Sequence, residues 1–480
     1  MPSSPKHELR SCNRPTAATA TPCAAIDRIR SSLTHLCALA SLGGMDLLRA
    51  RQAVLPAVVV ACGLWFAAAA SAQQVRPFAW NVPENFPIPR VPADNPMSWE
   101  KIELGRFLFF DPRLSGNETQ SCASCHDQAL AFTDALPRGV GSTGEVHPRG
   151  SMSLGNVAYA STLTWANPLL ADLAQQALVP MFGEEPVELG MAGREDELFA
   201  RLRADSRYRR LFREAYPGDG EPETLAAIVQ ALASFQRTLI TGNTPLDRWA
   251  LGLDDNAISM SAIRGIDLFF SETLECFHCH GGFNFSDSVT HSGTPFDESA
   301  FHNNQLFNLD GNGAYPPDNQ GVIEITNDPD DMGRFKAPTL RNIALTAPYM
   351  HDGSLATLDD VLDHYASGGA PGVPTNLTSG FVRGFNLTAQ QRQDVLALLE
   401  ALTDAEFVAN PQLSDPFTPL ACPGDCDFGG AVTVDELITG INVALGTATY
   451  AHCVGMDTSG DGEVSVDELV AVINLALAGC

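Results

Sequence analysis

The sequence predicts a mainly α-helical fold, with two tandem domains followed by a small loop–helix repeat module. Three observations predict it. The pentad Cys-x-x-Cys-His occurs twice, at 122–126 and 276–280. Each pentad lies between segments with apolar residues at helical spacing, and long loops rich in proline and glycine fill the rest. After Pro416 the composition changes, and a loop rich in aspartate and glycine appears twice, each time before an apolar helix.

Composition excludes several classes of protein. Hydrophobic residues make up 45% of the 480 residues, which is a globular value and excludes disorder as the dominant state. The 57 acidic residues outnumber the 29 basic ones, giving a net charge of −28. A surface this negative repels phosphate backbones, so we expect no nucleic-acid partner.

The N-terminus is typical of an export signal. Within 45–72, arginines precede an apolar run, and Ala70-Ser71-Ala72 has the small-residue pattern of a cleavage site. This predicts a signal peptide cleaved near Ala72, with a periplasmic or secreted mature protein that has no stable membrane span. The alternative is a transmembrane anchor, for which the apolar run of about 18 residues is borderline. Residues 1–44 precede a complete signal, and we interpret them as an upstream extension from a start codon placed too early.

The two pentads predict covalent attachment of two c-type haems. Two thiols at this spacing add to the two haem vinyl groups, and the adjacent imidazole reaches the iron. A thioredoxin-like redox pair does not need the trailing histidine, and a zinc ribbon leaves both histidines unexplained. The predicted attachment and ligand residues are Cys122, Cys125, His126, Cys276, Cys279 and His280.

Helical patterns on either side of each pentad divide the chain. We predict helices at Trp99–Phe110 and Glu223–Ile240 around the first pentad, and at Ser259–Phe270 and Thr388–Leu402 around the second. The predicted segments of the mature protein are a proline-rich stretch at 73–97, cytochrome c-like haem domains at 98–245 and 246–416, and the repeat module at 417–480.

From about Asn95 to Pro416 the chain resembles the bacterial di-haem cytochrome c peroxidase and MauG family. The stretches LGRFLFFDPRLS (104–115), CASCHDQALAFTD (122–134) and FKAPTLRNIALTAPYMHDGS (335–354) carry the resemblance. GSTGEVHPRGSMSLGNVAY and PMFGEEPVELG are most similar to the MbnH branch, whose members occur beside copper-binding partner proteins. The resemblance implies an enzyme that uses hydrogen peroxide at the N-terminal haem. The C-terminal haem would relay electrons from a residue of a partner protein, with tryptophan the expected target.

The same resemblance implies catalytic residues. It places the distal pair that acts on peroxide at Gln176 and Glu188, with Glu184 and Glu185 as alternatives to Glu188. Cleaving the O–O bond requires a proton moved to the leaving oxygen, which is work for a general acid–base. Trp165 corresponds to the tryptophan between the two haems, where an indole can carry an oxidising equivalent. Its alternative role is core packing.

Two further matched positions, 142 and 365, define the subtype. Peroxidases that need reductive activation place a histidine on the N-terminal haem, and the aligned residue here is Ser142, although His147 could still reach the iron. Tyr365 stands where the peroxidases supply a methionine to the C-terminal haem. A phenolate stabilises high oxidation states of iron, whereas a thioether favours ferrous iron. The resemblance also bears on a calcium ion that the family holds between its domains. Carbonyls of Thr346 and Pro348 would bind it, but Gly150 stands where the peroxidases have an asparagine ligand. Whether this chain binds that calcium is therefore left open.

The C-terminal repeats fit the twelve-residue EF-hand calcium loop and resemble a dockerin. In the first loop, Gly429 at position 5 removes one ligand, which predicts weaker binding there. The alternative is an Asp/Gly-rich linker without metal. The predicted ligands are Asp425, Asp427, Ala431, Thr433 and Glu436 in the first loop, and Asp457, Ser459, Asp461, Glu463, Ser465 and Glu468 in the second.

Four cysteines surround these loops, at 422, 426, 453 and 480, and predict two disulfides with three possible connectivities. For the whole chain, peroxide-driven oxidation of a partner protein is the leading hypothesis. One alternative is a cytochrome c peroxidase fed by a small cytochrome or cupredoxin. Another is a non-catalytic electron-transfer di-haem protein.

Overall fold

The computed structural model describes residues 75–295, 300–372 and 375–480. The chain divides into two units, Met1–Ala72 and Gln73–Cys480. The predicted upstream extension and signal peptide therefore lie outside the described residues. Across the three described ranges, no helix has the length and apolarity needed to cross a membrane.

Five helices surround the first pentad. The predicted helix Trp99–Phe110 is present with those bounds, and Ser98 caps its N-terminus by accepting the backbone N–H of Lys101. The predicted Glu223–Ile240 helix is shorter, because Thr224 takes the N-cap position. The five are α1 (Trp99–Phe110), α2 (Leu173–Phe182), α3 (Glu195–Ala204), α4 (Ser206–Ala215) and α5 (Leu225–Arg237).

The second pentad lies among shorter elements. Ser259 and Thr388 cap the two predicted helices, which therefore begin one residue later than expected. A two-stranded antiparallel ribbon pairs Phe301 with Lys336. The elements are α6 (Pro245–Ala250), α7 (Met260–Phe269), β1 (Phe301–His302), α8 (Ile323–Thr326), β2 (Phe335–Lys336), α9 (Leu358–Ala366), α10 (Ala389–Glu400) and α11 (Ala405–Ala409).

The regions around the two pentads repeat one packing motif. Helix α1 crosses α5 so closely that a Cβ at Gly105 would lie 2.0 Å from the carbonyl oxygen of Ala231. Helix α7 crosses α10 in the same way, and a Cβ at Gly265 would lie 2.0 Å from the carbonyl oxygen of Asp394. Any larger side chain would force the helices apart, so both crossings depend on glycine.

The C-terminal module consists of α12 (Val434–Ala444) and α13 (Val466–Ala478), each preceded by one of the predicted loops. Of the three possible connectivities, the structure has Cys422 bonded to Cys480 and Cys426 bonded to Cys453. Buried module residues such as Tyr450 and Met456 belong to the same hydrophobic core as Phe107 of α1.

Helix α4 contacts the module directly. The carboxylate of Glu214, which is almost fully buried, accepts the backbone N–H of Tyr450 at 2.8 Å and that of Ala451 at 3.2 Å. Arg210 donates to the carbonyl oxygen of Gly462 at 2.8 Å. The module is therefore packed onto the N-terminal haem region.

Replacing Arg341 by methionine is expected to lower the free energy of unfolding by about 3–5 kcal/mol, because it leaves a buried carboxylate unpaired. Arg341 is fully buried and donates to both oxygens of Asp247, at 2.7 and 2.9 Å. The matched control is Arg392→Met, which breaks solvent-accessible pairs with Asp359 and Asp363 and is expected to cost at most about 1 kcal/mol. Urea unfolding of the holoprotein measures the free energy of unfolding of both variants. An equal decrease in the two would contradict this account.

Candidate active site

The first Cys-x-x-Cys-His motif forms a tight turn. A 3₁₀ turn at Cys122–Ser124 begins after Ser121, whose backbone N–H donates to the Ser124 hydroxyl at 3.0 Å. Nδ1 of His126 lies 2.8 Å from the carbonyl oxygen of Phe132. A carbonyl oxygen only accepts, so Nδ1 carries the proton and Nε2 keeps the lone pair that a metal requires.

The second motif repeats this arrangement. A 3₁₀ turn spans Cys276–His278, and Nδ1 of His280 lies 3.1 Å from the carbonyl oxygens of Phe285 and Pro338. The same reasoning leaves Nε2 of His280 available to iron. None of the four motif cysteines forms a disulfide, so all four thiols are available for haem attachment.

A cavity of about 440 Å³ opens beside the first motif. Site residues that the sequence analysis predicted, and that lie far apart along the chain, come together in its wall. Its walls include Cys122, Cys125, His126, Trp165, Gln176, Pro180 and Glu188. Two free thiols, an imidazole with its metal-facing nitrogen available and a large cavity at the same place fit a covalently bound haem.

Helix α2 carries Gln176 and is hydrogen-bonded to the segment that carries Glu188. Asp172 caps the helix by accepting the N–H groups of Ala174 and Gln175, so Gln176 lies in the first turn and faces the cavity. Pro180 lies inside the same helix, and its carbonyl oxygen accepts the N–H of Leu189 at 2.8 Å. That hydrogen bond ties the segment carrying Glu188 back to α2. Both alternatives to Glu188 are exposed, and of the two Glu185 lines the cavity while Glu184 does not.

Burial raises the pKa of Glu188 to about 7, so this carboxyl can both release and accept a proton near neutrality. Nδ1 of His147 lies 3.9 Å from the carboxylate Oε1 of Glu188. The remaining charged residues of the cavity wall are Arg149, Glu185 and Glu324. Arg149 pairs with both oxygens of Glu324, at 2.7 and 2.8 Å.

The structure distinguishes Ser142 from His147. Ser142 does not line the cavity, and its backbone N–H donates to the carbonyl oxygen of Glu188 at 2.7 Å. His147 does line the cavity. The family resemblance aligned Ser142 with the histidine of the peroxidases and left His147 as an alternative, but the fold shows which of them faces the site.

Trp165 forms part of the wall of two cavities, the one beside His126 and a smaller one of about 110 Å³. Its indole N–H donates to the carbonyl oxygen of Gly150 at 2.8 Å. Gly150, Thr346 and Pro348 all line the smaller cavity. The three positions for which the resemblance left an interdomain calcium open therefore line one cavity.

Tyr365 lies in α9, and its hydroxyl is 3.4 Å from Nδ2 of Asn304. Burial raises the pKa of Tyr365 to about 12, so the phenolate needs a cation to form at neutral pH. A ferric haem held by Cys276 and Cys279 would supply that cation. The same Asn304 amide is 3.4 Å from the sulfur of Met350, a thioether that the sequence analysis did not identify.

His302 and Asp287 form a second feature that the sequence did not reveal. Nε2 of His302 lies 2.5 Å from the Asp287 carboxylate, and these two side chains cluster with Cys279. His302 lies in β1, more than 20 residues beyond the motif, and no local pattern links it to Cys279.

The role that the family resemblance implies for Glu188 predicts that the reaction with peroxide accelerates as pH rises through about 7. Glu188 must be ionised to take a proton from hydrogen peroxide, and it is protonated below its raised pKa. Stopped-flow rate constants between about pH 5 and pH 9 measure this effect. A wild-type profile that stays flat over that range would rule out Glu188 as the base.

Comparison with known proteins agrees with this geometry. A family model described as di-haem cytochrome c peroxidase matches residues 99–255. The methylamine utilization protein MauG of Methylorubrum extorquens is 35% identical over 332 residues, which cover 69% of this chain and 85% of that protein. Cytochrome-c peroxidase IdrP1 of Denitromonas iodatirespirans is 35% identical over 355 residues, covering 70% and 90% of the two chains.

A solved structure extends the likeness to the fold. The crystal structure of a MauG-like protein associated with microbial copper homeostasis is 47% identical, with a TM-score of 0.68. The match covers 71% of this chain and 99% of that one. The chain therefore belongs to the di-haem cytochrome c peroxidase and MauG family, and it is a peroxide-dependent oxidoreductase with two covalently bound haems.

Proposed function

We propose that this enzyme uses hydrogen peroxide to oxidise a residue of a partner protein, with tryptophan as the target. The observation that carries the proposal is the buried hydroxyl of Tyr365 at the second haem region. As a phenolate ligand it would stabilise a high oxidation state there, which suits oxidation of a protein side chain. The 47% identity to a MauG-like protein associated with copper homeostasis supports a copper-binding partner.

The haems supply peroxide reduction at the first site and electron storage at the second. The chain's own residues do the rest. Glu188 takes a proton from peroxide and returns it to the leaving oxygen, while the amide of Gln176 orients the bound molecule. Trp165, on the wall between the two cavities, carries the oxidising equivalent between the haem regions.

One observation favours a second candidate, a cytochrome c peroxidase that takes electrons from a small cytochrome or cupredoxin. The sulfur of Met350 and the hydroxyl of Tyr365 both approach the amide of Asn304. A thioether ligand would raise the haem potential and favour electron entry from such a donor. Because the chain is an enzyme of this family, the non-catalytic carrier is set aside.

Supplying both kinds of electron donor separates these candidates. The holoprotein and peroxide are incubated with a reduced c-type cytochrome, and separately with copper-binding proteins that carry surface tryptophans. We expect slow cytochrome oxidation, together with a changed mass in a tryptophan-containing peptide of one copper protein. Fast cytochrome turnover with unmodified copper proteins would contradict the proposal. Tyr365→Met serves as the matched variant, expected to shift activity towards the cytochrome.

We also propose that the C-terminal module binds calcium and acts as a stabilising cap. The ligand atoms of Asp425, Asp427 and Glu436 lie within 4.8 Å of one another. In the second loop, the Asp457 carboxylate accepts the N–H groups of Gly460 and Gly462 at 2.6 and 2.7 Å. Asp425 and Glu436 are buried and Asp427 is exposed, and carboxylates this close repel one another unless a cation offsets their charge.

Metal binding to this module is testable in the intact protein. The backbone N–H of Tyr450 donates to Glu214 of α4, and its hydroxyl donates to the carboxylate of Asp457 at 2.8 Å. We therefore expect calcium to raise the unfolding midpoint and a chelator to lower it, with Asp457→Asn less responsive than the wild type. A midpoint unchanged by calcium would contradict the proposal.

The disulfides and the covalent haem attachment also indicate the cellular compartment of the protein. Two disulfides and two covalently attached haems are typical of proteins outside the cytoplasm. We therefore propose a periplasmic or secreted location, reached after cleavage near Ala72. N-terminal sequencing of the mature protein tests the cleavage position.

A further inference from the structure

We propose that His147 is a positioning residue, which holds the carboxylate of Glu188 towards the cavity through a hydrogen bond from its Nδ1–H. The inference rests on the proposed role of Glu188 and adds a residue to it. The family resemblance assigned no such role to this position.

The geometry places the two side chains side by side in one wall. Nδ1 of His147 is 3.9 Å from Oε1 of Glu188, and both residues line the cavity beside His126. An approach of about 1 Å would bring the pair within the normal range of a hydrogen bond. Catalytic hydrogen bonds are often long before the ligands bind and shorten afterwards.

The second ring nitrogen of His147, Nε2, also bears on the proposal. Nε2 of His147 is buried and has no hydrogen-bond partner among the described residues. A buried polar atom without a partner costs free energy, so such atoms in native proteins usually have a reason. With the proton on Nδ1, Nε2 is left as an acceptor for a polar molecule in the cavity.

The backbones that carry the pair are tied together. The loop 139–149 closes on itself, with the N–H of His147 donating to the carbonyl oxygen of Gly139 at 2.8 Å. In the same loop, the backbone N–H of Ser142 donates to the carbonyl oxygen of Glu188 at 2.7 Å. In return, the N–H of Val187 donates to the Glu145 carboxylate at 2.9 Å. The two side chains therefore start from fixed positions, and only side-chain rotation is needed to bring them together.

The other charged side chains near His147 have hydrogen-bond partners of their own, although the Glu145 carboxylate also acts on the imidazole and raises its pKa against the lowering effect of burial. The carboxylate of Glu145, in the same loop, is engaged by Val187. Arg149 donates to both oxygens of Glu324 of α8 and to the side-chain oxygen of Asn319. Among the described residues, Glu188 has the one carboxylate oxygen within 4.0 Å of a ring nitrogen of His147.

Cyanide binding to the ferric holoprotein tests the proposal without peroxide or a partner protein. Hydrogen cyanide must lose a proton when it binds ferric haem, so a distal base accelerates the reaction. The variants are His147→Leu, which removes the donor, and His147→Gln, which keeps one. The control is Val146→Ala, at the exposed neighbouring position in the same loop. Each His147 variant is also made in a Glu188→Gln background.

We expect His147→Leu to slow cyanide binding by about 10-fold, the lower end of the usual effect of a residue that orients a ligand or base. It should also raise the midpoint of the pH profile, while His147→Gln restores most of the rate. In the Glu188→Gln background the His147 substitutions should add nothing, because the residue acts through Glu188.

Three results would overturn the proposal. The first is an unchanged cyanide rate in His147→Leu. The second is an equal loss in the wild-type and Glu188→Gln backgrounds, which shows an independent role. The third is a low-spin ferric signal at the first haem that disappears in His147→Leu, because it shows that the imidazole binds iron instead. Failure of partner-protein oxidation leaves all three readouts intact, so the two proposals fail separately.

Discussion

Replacing Glu188 by glutamine is expected to slow the reaction of the diferric protein with hydrogen peroxide by about 10²- to 10⁴-fold, the usual contribution of a positioned acid–base group. Glutamine keeps the size and a hydrogen-bonding oxygen but cannot carry the proton. Because burial already raises the pKa of this carboxyl to about 7, the native group is poised to exchange protons at neutral pH. Stopped-flow absorption at the haem bands measures the rate.

The matched control is Glu184→Gln, which removes an exposed carboxylate four residues earlier in the chain. Its rate should stay within a factor of about two of the wild type, since it does not line the cavity. Glu185→Gln is the second control, because Glu185 does line the cavity. A large loss in Glu185→Gln with little change in Glu188→Gln would transfer the role to Glu185.

Replacing Tyr365 by methionine is expected to raise the reduction potential of the second haem by on the order of 100 mV, within the roughly 0.8 V that axial ligands span. A thioether favours ferrous iron, whereas an anionic phenolate favours ferric iron. The variant should also lose the ability to share two oxidising equivalents between the haems. Spectroelectrochemical titration gives the potential, and low-temperature electron paramagnetic resonance gives the ligand set.

Tyr365→Phe separates ligation from packing. It keeps the ring and removes only the hydroxyl, so the fold should survive while the spectrum of the second haem changes. Met350→Leu tests the nearby thioether in the same way, since the sulfur lies close to the same Asn304 amide. If Tyr365→Phe leaves the spectrum unchanged and Met350→Leu alters it, methionine is the ligand.

The sequence predicted those parts of the site that local chemistry determines. The Cys-x-x-Cys-His motifs identify their own attachment residues, and capped amphipathic segments located α1, α5, α7 and α10 to within a few residues. Family resemblance placed Gln176 and Glu188 beside each other although a proline-containing helix and a loop separate them. The structure places both in the cavity wall beside His126.

What the sequence could not predict depends on contacts between distant segments. His147 faces the cavity because its loop is hydrogen-bonded to the segment carrying Glu188, and no spacing rule encodes that contact. The disulfide pairing was open because four cysteines allow three connectivities. The packing of the module on α4 depends on Glu214 meeting the backbone of Tyr450, more than 200 residues later.

The central claim is that two oxidising equivalents from peroxide are shared across both haem regions for use on a protein side chain. Adding one equivalent of peroxide to the diferric holoprotein, without reductant, tests it most directly. We expect the ferric electron paramagnetic resonance signals of both haems to disappear together while a near-infrared absorption band appears. No reaction until one haem has been reduced would contradict the account and would identify a reductively activated peroxidase.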